Sequence, residues 1–258
     1  MKNKVGIVTA AGNGIGRASA IAFAKAGAKV VVSDISEESG YETVRLIQDE
    51  GGEAQFIKCN VAEEKDVKNL IDQTVKQFGR LDWAHNNAGI GAPTASLTEI
   101  DTDRWQRVID VTLTGTFLCL KYEIPAMLES GGGAIVNTAS TGGLVGTPGL
   151  TPYISAKHGV NGLTKSAALE FGKQNIRINS ICPGMTKTAA VENWSQEAEE
   201  QAKAFESAIP MGRMGVPNEQ ANAAVWLCSE QSSFITGINL PSMAEKLQNK
   251  SFYYNMTI

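Results

Sequence analysis

The chain has 258 residues, 43% of them hydrophobic and 19% charged, with a formal net charge of −4 at pH 7. That is enough apolar chain to bury a large core without covalent staples, which excludes a disordered polypeptide and a disulfide miniprotein. The mild acidity, with no dense Lys/Arg run, argues against nucleic acid or an anionic membrane as partner, and no apolar run approaches the ~20 residues of a membrane span.

Apolar runs alternate with helical patterns along the chain. Residues 5–9 read as a strand and 15–26 as a helix opened by glycines. Residues 29–33 form a second strand, 37–50 a helix and 54–59 a third strand. In 63–78 the apolar positions Val67, Leu70, Ile71, Val75 and Phe78 recur at helical spacing. Residues 81–86 make strand four, 102–127 a long helix, 134–138 strand five, 153–172 a helix and 177–182 strand six. Helical segments over 197–207 and 218–229 precede a short strand at 237–240. Apolar strands separated by helices predict an α/β fold: one Rossmann-like, doubly wound parallel sheet with helices on both faces. With no linker or repeat, residues 1–241 are expected to form one domain, followed by a tail over 242–258. Segment 184–217 is either a mobile lid or an ordinary surface helix pair.

The four cysteines, Cys59, Cys119, Cys182 and Cys228, form no CxxC pair, and there are only two histidines. Reduced, buried thiols in a cytoplasmic protein are expected, with no metal site. The N-terminus lacks the apolar core of a signal peptide. His158 is expected to pack or face solvent, and His85 to sit in strand four. Trp194, Met185 and Met211 are candidates for lining a substrate pocket.

Two groups of residues carry the chemistry. Val5-Gly-Ile-Val-Thr9 runs into Gly12, Asn13, Gly14, Ile15 and Gly16, a strand, glycine-rich turn and helix start in the order that cradles a pyrophosphate. Asp34, 18 residues after Gly16, can accept from both hydroxyls of an adenosine ribose and would repel a 2′-phosphate. Neither Ser33 nor Ile35 offers the cation that a 2′-phosphate wants, so NAD(H) is the expected cofactor. In the second group, Tyr153 and Lys157 stand at i and i+4 on one helical face. A nearby ammonium, with a cationic nicotinamide, would favour the phenolate, letting Tyr153 exchange a proton with an alcohol as hydride moves. Ser140 follows strand five, where such sheets place ligands, and can hydrogen-bond the substrate oxygen.

With these residues in hand, the chain resembles the short-chain dehydrogenases/reductases to about Leu240. The matching motifs are Thr9-Ala-Ala-Gly12-Asn-Gly14-Ile-Gly16, Asn86-Asn87-Ala88-Gly89, Ser140, Tyr153-x-x-x-Lys157 and Arg177-Ile-Asn-Ser-Ile-Cys-Pro183-Gly184, with Ser140 13 residues ahead of Tyr153. The resemblance implies Tyr153 as acid/base, Ser140 as partner of the substrate oxygen and Lys157 as tuner of the tyrosine and ribose ligand. It implies that Asn87, Ala88 and Gly89 line the adenosine side. Pro183, Gly184, Thr186 and Thr188 then meet the nicotinamide half, with Ile35, Asn60, Val61 and Thr138 completing the cofactor site. It further implies a small alcohol or ketone substrate, a homo-oligomer (tetramer or dimer), and the bacterial branch acting on cyclic alcohols, diols and ketones. A 3-oxoacyl-carrier-protein reductase shares the fold but mostly uses NADPH, against which Asp34 argues.

The chain departs from the family pattern at four places. Ala10 replaces the first motif glycine, which is tolerable only if its φ is negative. Asn60 replaces an aspartate. Thr112 stands where the family has a fourth catalytic residue, an asparagine that holds a relay water. Its backbone carbonyl is the remaining candidate for that water, and reduced turnover with retained cofactor binding is expected. The alternative is an NAD-binding protein of weak or no turnover. Finally, 242–258 replaces the family's usual glycine-containing end.

Overall fold

Short β-branched runs become strands where the sequence predicts them. In the computed structural model, which describes residues 1–91 and 93–244, these are β1 (Val5–Thr9), β2 (Lys29–Asp34), β3 (Glu53–Lys58), β4 (Trp83–Asn86), β5 (Gly133–Thr138), β6 (Ile176–Pro183) and β7 (Asn239–Ser242). Neighbouring strands are all parallel, and the sheet order is β3-β2-β1-β4-β5-β6-β7.

Alternation along each strand sends side chains to opposite faces. Ile7, Val31 and Ile135 join one core with α3 (Glu64–Phe78), α5 (Gly115–Glu129) and α6 (Thr151–Phe171). Their neighbours Val8, Val30, Val32 and Val136 join the other, with α1 (Gly14–Lys25), α2 (Glu37–Asp49) and α9 (Pro217–Cys228). All four cysteines are free and buried. Among the described residues, no helix is long and apolar enough to cross a membrane.

Two helical segments differ from the sequence reading. The long helix predicted over 102–127 is α4 (Thr102–Ile109), a π turn over Asp110–Thr114 in which Gly115 N–H reaches back to Asp110 C=O, and then α5. A single inserted residue leaves the 3.6-residue apolar rhythm on either side intact, so periodicity does not reveal it. The helix predicted over 197–207 is α8 (Glu199–Ala208), and a helix absent from the sequence reading, α7 (Ala189–Glu197), precedes it, with Thr188 capping α7 through a 3.4 Å bond from Val191 N–H. The tail beyond 244, with Tyr253 and Tyr254, lies outside the described residues.

The chain crosses from one half of the sheet to the other between β3 and β4, so β1 and β4 lie side by side although two strands, β2 and β3, separate them in the chain. In parallel sheets that switch point opens a crevice at the strands' C-terminal ends. The turns after β1, β2, β4, β5 and β6 therefore converge on one edge.

Candidate active site

The glycine turn leaves β1 and enters α1 at that edge. Asn13, in an extended conformation, starts the helix without a side-chain cap, so the first N–H groups of α1 stay open to an anion. A Cβ on Gly16 would lie 2.0 Å from Ala10 C=O, and one on Gly12 would lie 2.8 Å from Asp34 Oδ2, so only glycine allows the turn to close this tightly. Asp34 ends β2 with one carboxylate oxygen accepting from Gly12 N–H at 2.8 Å and the other from Ser36 N–H at 2.9 Å. Each oxygen keeps a lone pair for a ligand hydroxyl. Ile35 is exposed beside it, Val61 is buried, and Asn60 Oδ1 accepts from Ala62 N–H at 3.2 Å while its amide donors stay free of that bond.

Asn87 ties the turn after β4 to the turn after β1. Its Nδ2 donates to Thr9 C=O and Ala10 C=O at 3.3 Å each, and Thr9 Oγ1 accepts from the N–H groups of Asn87 and Ala88. Thr188 reaches the same place: its Cγ2 would lie 3.2 Å from a Cβ on Gly14. Pro183 and Gly184 follow directly at the end of β6.

Ser140, Tyr153 and Lys157 meet beside this turn. Lys157, buried on α6, donates from Nζ to Thr138 C=O at 2.6 Å, and its Nζ is 5.7 Å from the centre of the Tyr153 ring. Burial pulls the ammonium down to about 8. Ser140 Oγ accepts from Gly142 N–H at 3.0 Å, which leaves its own proton to donate, and it hydrogen-bonds the Tyr153 phenol. A hydroxyl pair of this kind, backed by a fixed cation, can hold a substrate oxygen and move its proton.

Several expectations change in detail. In the protein by itself burial pushes the Tyr153 phenol up and the Ser140 bond partly opposes it, while the expected phenolate depends also on a cationic nicotinamide; Lys157 lies beside the ring and spends a donor on Thr138. Gly89, expected on the adenosine side, lies against the reacting residues, since a Cβ there would be 3.1 Å from Lys157 Nζ. Thr186 is buried with its hydroxyl committed, donating to Gly184 C=O at 3.0 Å and accepting from Gln220 Nε2 at 3.4 Å. Trp194 packs edge-on against Phe205, ring centres 5.8 Å apart, which accounts for its place at the α7–α8 corner. Ala10 has φ of +48°, the left-handed region where a methyl is strained.

Thr112 sits in the π turn, fully buried. Its hydroxyl accepts from Ile90 N–H at 3.2 Å and faces Ile90 C=O at 3.5 Å. The carbonyl expected to hold a relay water accepts the Thr116 hydroxyl at 2.8 Å. Thr112 thus docks the loop after Gly89, its hydroxyl 3.5 Å and Lys157 Nζ 3.1 Å from where a Cβ on Gly89 would lie.

Sequence reading misses the polar layer beneath. His85, in β4 and fully buried, is held neutral by burial, with its pKa pulled down to about 3, and its Nε2 is 2.8 Å from Thr138 Oγ1, which donates to Asn87 Oδ1 at 3.3 Å. Asn86 Nδ2 donates to Glu123 Oε2 at 2.9 Å and Asn137 Oδ1 at 3.1 Å. Nothing in the spacing of these residues announces the contacts, because they join strands far apart in the chain. His158 is exposed, with Nδ1 3.0 Å from Ile154 C=O, as its place on the helix predicts. Among the described residues no cluster of metal-ligating side chains occurs.

Comparison with known proteins adds to this geometry. A family model described as enoyl-(acyl carrier protein) reductase matches residues 9–242. The chain is 46% identical over 235 residues to cyclohexanol dehydrogenase of Acinetobacter sp. (strain SE19), covering 91% of each chain. It is 44% identical over 238 residues to 2,5-dichloro-2,5-cyclohexadiene-1,4-diol dehydrogenase of Sphingobium indicum, covering 92% of this chain and 94% of that one. The crystal structure of levodione reductase matches with a TM-score of 0.92 at 32% identity, covering 95% of this chain and 97% of the other.

Proposed function

The chain belongs to the short-chain dehydrogenase/reductase family, and on that premise we propose that it transfers a hydride between NAD(H) and a secondary alcohol or ketone, with a cyclic compound as the substrate class. The observation that carries the reading is the meeting of Ser140, Tyr153 and Lys157 beside a glycine turn whose neighbouring strand ends in Asp34. The cyclic substrate rests on the relatives that act, by name, on cyclohexanol and a cyclohexadiene diol.

The residues fit a dinucleotide, because side chains at Gly12 or Gly16 would fill the cradle. The amides from Gly12 to Gly16 would hold its pyrophosphate and Asp34 the adenosine ribose, with Ile35, Asn60 and Val61 around the adenine. Asn87, Ala88, Gly89, Thr138, Pro183, Gly184 and Thr188 would border the rest. The nicotinamide, when bound, accepts hydride in oxidation and supplies it in reduction. Tyr153 takes the alcohol proton at its phenolic oxygen, or returns it to the ketone oxygen. Ser140 donates to that same oxygen. Lys157, anchored on Thr138 C=O, keeps a positive charge beside the ring and binds ribose hydroxyls with its remaining donors.

A relative that is 37% identical over 237 residues, 3-oxoacyl-[acyl-carrier-protein] reductase FabG of Thermotoga maritima, favours a second reading, a 3-oxoacyl-carrier-protein reductase. The discriminating residue is Asp34. Fluorescence titration should give tighter binding of NADH than NADPH, and Asp34→Ser should reduce that preference by ~10-fold or more, the size of a charged hydrogen bond. Turnover of NAD⁺ with cyclohexanol and cyclic diols, but not of NADPH with a 3-oxoacyl thioester, is expected. NADPH preference in the unaltered protein overturns the reading; tight NADH binding without turnover of any alcohol leaves a cofactor-binding protein of weak activity.

A further inference from the structure

Asn161 stands on α6 one turn beyond Lys157 and is 3% exposed. It joins three elements. Its Nδ2 donates to Gly143 C=O at 2.9 Å. Its Oδ1 accepts from Ser180 Oγ at 2.8 Å and lies 3.6 Å from Cys182 Sγ, two fully buried groups of β6. Gly143 closes the short turn Thr141–Gly143 that follows Ser140, its N–H donating to Ser140 C=O at 2.8 Å. A Cβ on Gly143 would meet Asn161 Nδ2 and Lys157 C=O at 2.7 Å each, so the turn lies directly on the helix. The amide therefore holds the segment carrying Ser140 against the helix carrying Tyr153 and Lys157, with β6 as the third support.

We propose that Asn161 is a positioning residue, whose amide locks the Ser140 turn onto α6 so that the Ser140 hydroxyl stays within hydrogen-bond reach of the Tyr153 phenol. The proposal rests on Ser140 and Tyr153 being the reacting pair. Apart from its hydroxyl bond to Tyr153, the Ser140 hydroxyl and carbonyl bond within their own turn, accepting from Gly142 N–H and Gly143 N–H. A displacement of a fraction of an ångström at such a pair is enough to weaken proton transfer. Ser180 keeps an alternative acceptor in Asn239 Oδ1 at 2.9 Å, so loss of Asn161 orphans mainly Gly143 C=O.

The test is a double-mutant cycle on Tyr153 ionisation, followed by phenolate absorbance against a Tyr153→Phe blank, which needs no turnover. Asn161→Val should raise the Tyr153 midpoint, as Ser140→Ala does, and Ser140→Ala/Asn161→Val should raise it no further than Ser140→Ala alone. Dissociation constants for NADH should stay within about threefold, while kcat for alcohol oxidation falls ~10-fold or more with KM little changed. If Asn161→Val does not fold, Asn161→Ser, which is smaller and admits water, should give the same pattern. Unchanged Tyr153 ionisation in a folded variant, or additive effects in the double variant, overturns the proposal. A protein that shows the coupled shift yet oxidises no alcohol retains the Asn161 inference and refutes the proposed function.

Discussion

Thr112 and Ala10 are the two single residues whose chemistry departs most from their surroundings. Thr112 spends its one hydroxyl on the backbone of Ile90. An asparagine at 112 has both a donor and an acceptor for Ile90 and one further N–H to offer toward the buried Lys157 side. Thr112→Asn should therefore raise kcat severalfold with the NADH dissociation constant unchanged; stopped-flow and titration measure both, and an unaltered kcat in an active enzyme would remove Thr112 from the proton path. Ala10 holds a left-handed conformation that costs a residue with a Cβ roughly 1–2 kcal/mol. Part of that is offset because alanine loses less chain entropy on folding than glycine. Ala10→Gly should still raise Tm, by about 2 °C for a chain of this size, in a thermal melt. A lower Tm would mean that the turn is relaxed with the methyl in place.

At the scale of elements, the buried link between α5 and β4 is a titrating joint. Glu123 is fully buried and accepts from Asn86, while its Oε1 and Asn86 Oδ1 have no hydrogen-bond partner among the described residues. Burial lifts its pKa from 4.5 to about 7. Cys119 and Cys228 lie near enough to feel the Glu123 charge, and burial keeps both as neutral thiols, while the one polar contact that favours the carboxylate is the Asn86 amide. The folded state therefore favours the protonated acid, which also turns an acceptor-only group into a donor. Because the folded value lies above the unfolded one, the stabilisation is complete below pH 4.5 and is lost as pH rises toward about 7. The loss is up to ~3 kcal/mol by the usual 1.4 kcal/mol per unit. Glu123→Gln should flatten this part of the pH–stability curve measured by urea unfolding; a curve of the same slope as the parent would show that another group titrates. The element arrangement itself was legible from pattern: apart from α7, which the pattern did not give, strands and helices fall within a few residues of their predicted ends. The π turn at Asp110–Thr114 was not, since it changes the hydrogen-bond ladder without altering which residues are apolar.

For the whole molecule, two large apolar side chains stand almost fully in water. Leu169 on α6 is 86% exposed and Phe234 before β7 is 102% exposed. We expect them to be covered by a second copy in a dimer or tetramer. Sedimentation should show the assembly, and Leu169→Glu and Phe234→Glu, made separately, should identify which surface it uses; a monomeric parent protein would refute the expectation.

Residue order alone determined the alternation of strands and helices, the glycine turn, the acid at the end of β2 and the Tyr153–Lys157 pair. Each of these is a local pattern, set by backbone sterics and spacing within a few turns of chain. Tertiary structure alone decided where those pieces meet. It set Gly89 against Lys157, committed the Thr186 hydroxyl to the Gly184 carbonyl and the Thr112 hydroxyl to the Ile90 backbone, and seated Asn161 beneath Ser140. It also set the burial that pushes the Tyr153 phenol upward in the protein by itself. Desolvation and long-range hydrogen bonds depend on which distant segments pack together, and a linear pattern does not encode those distances.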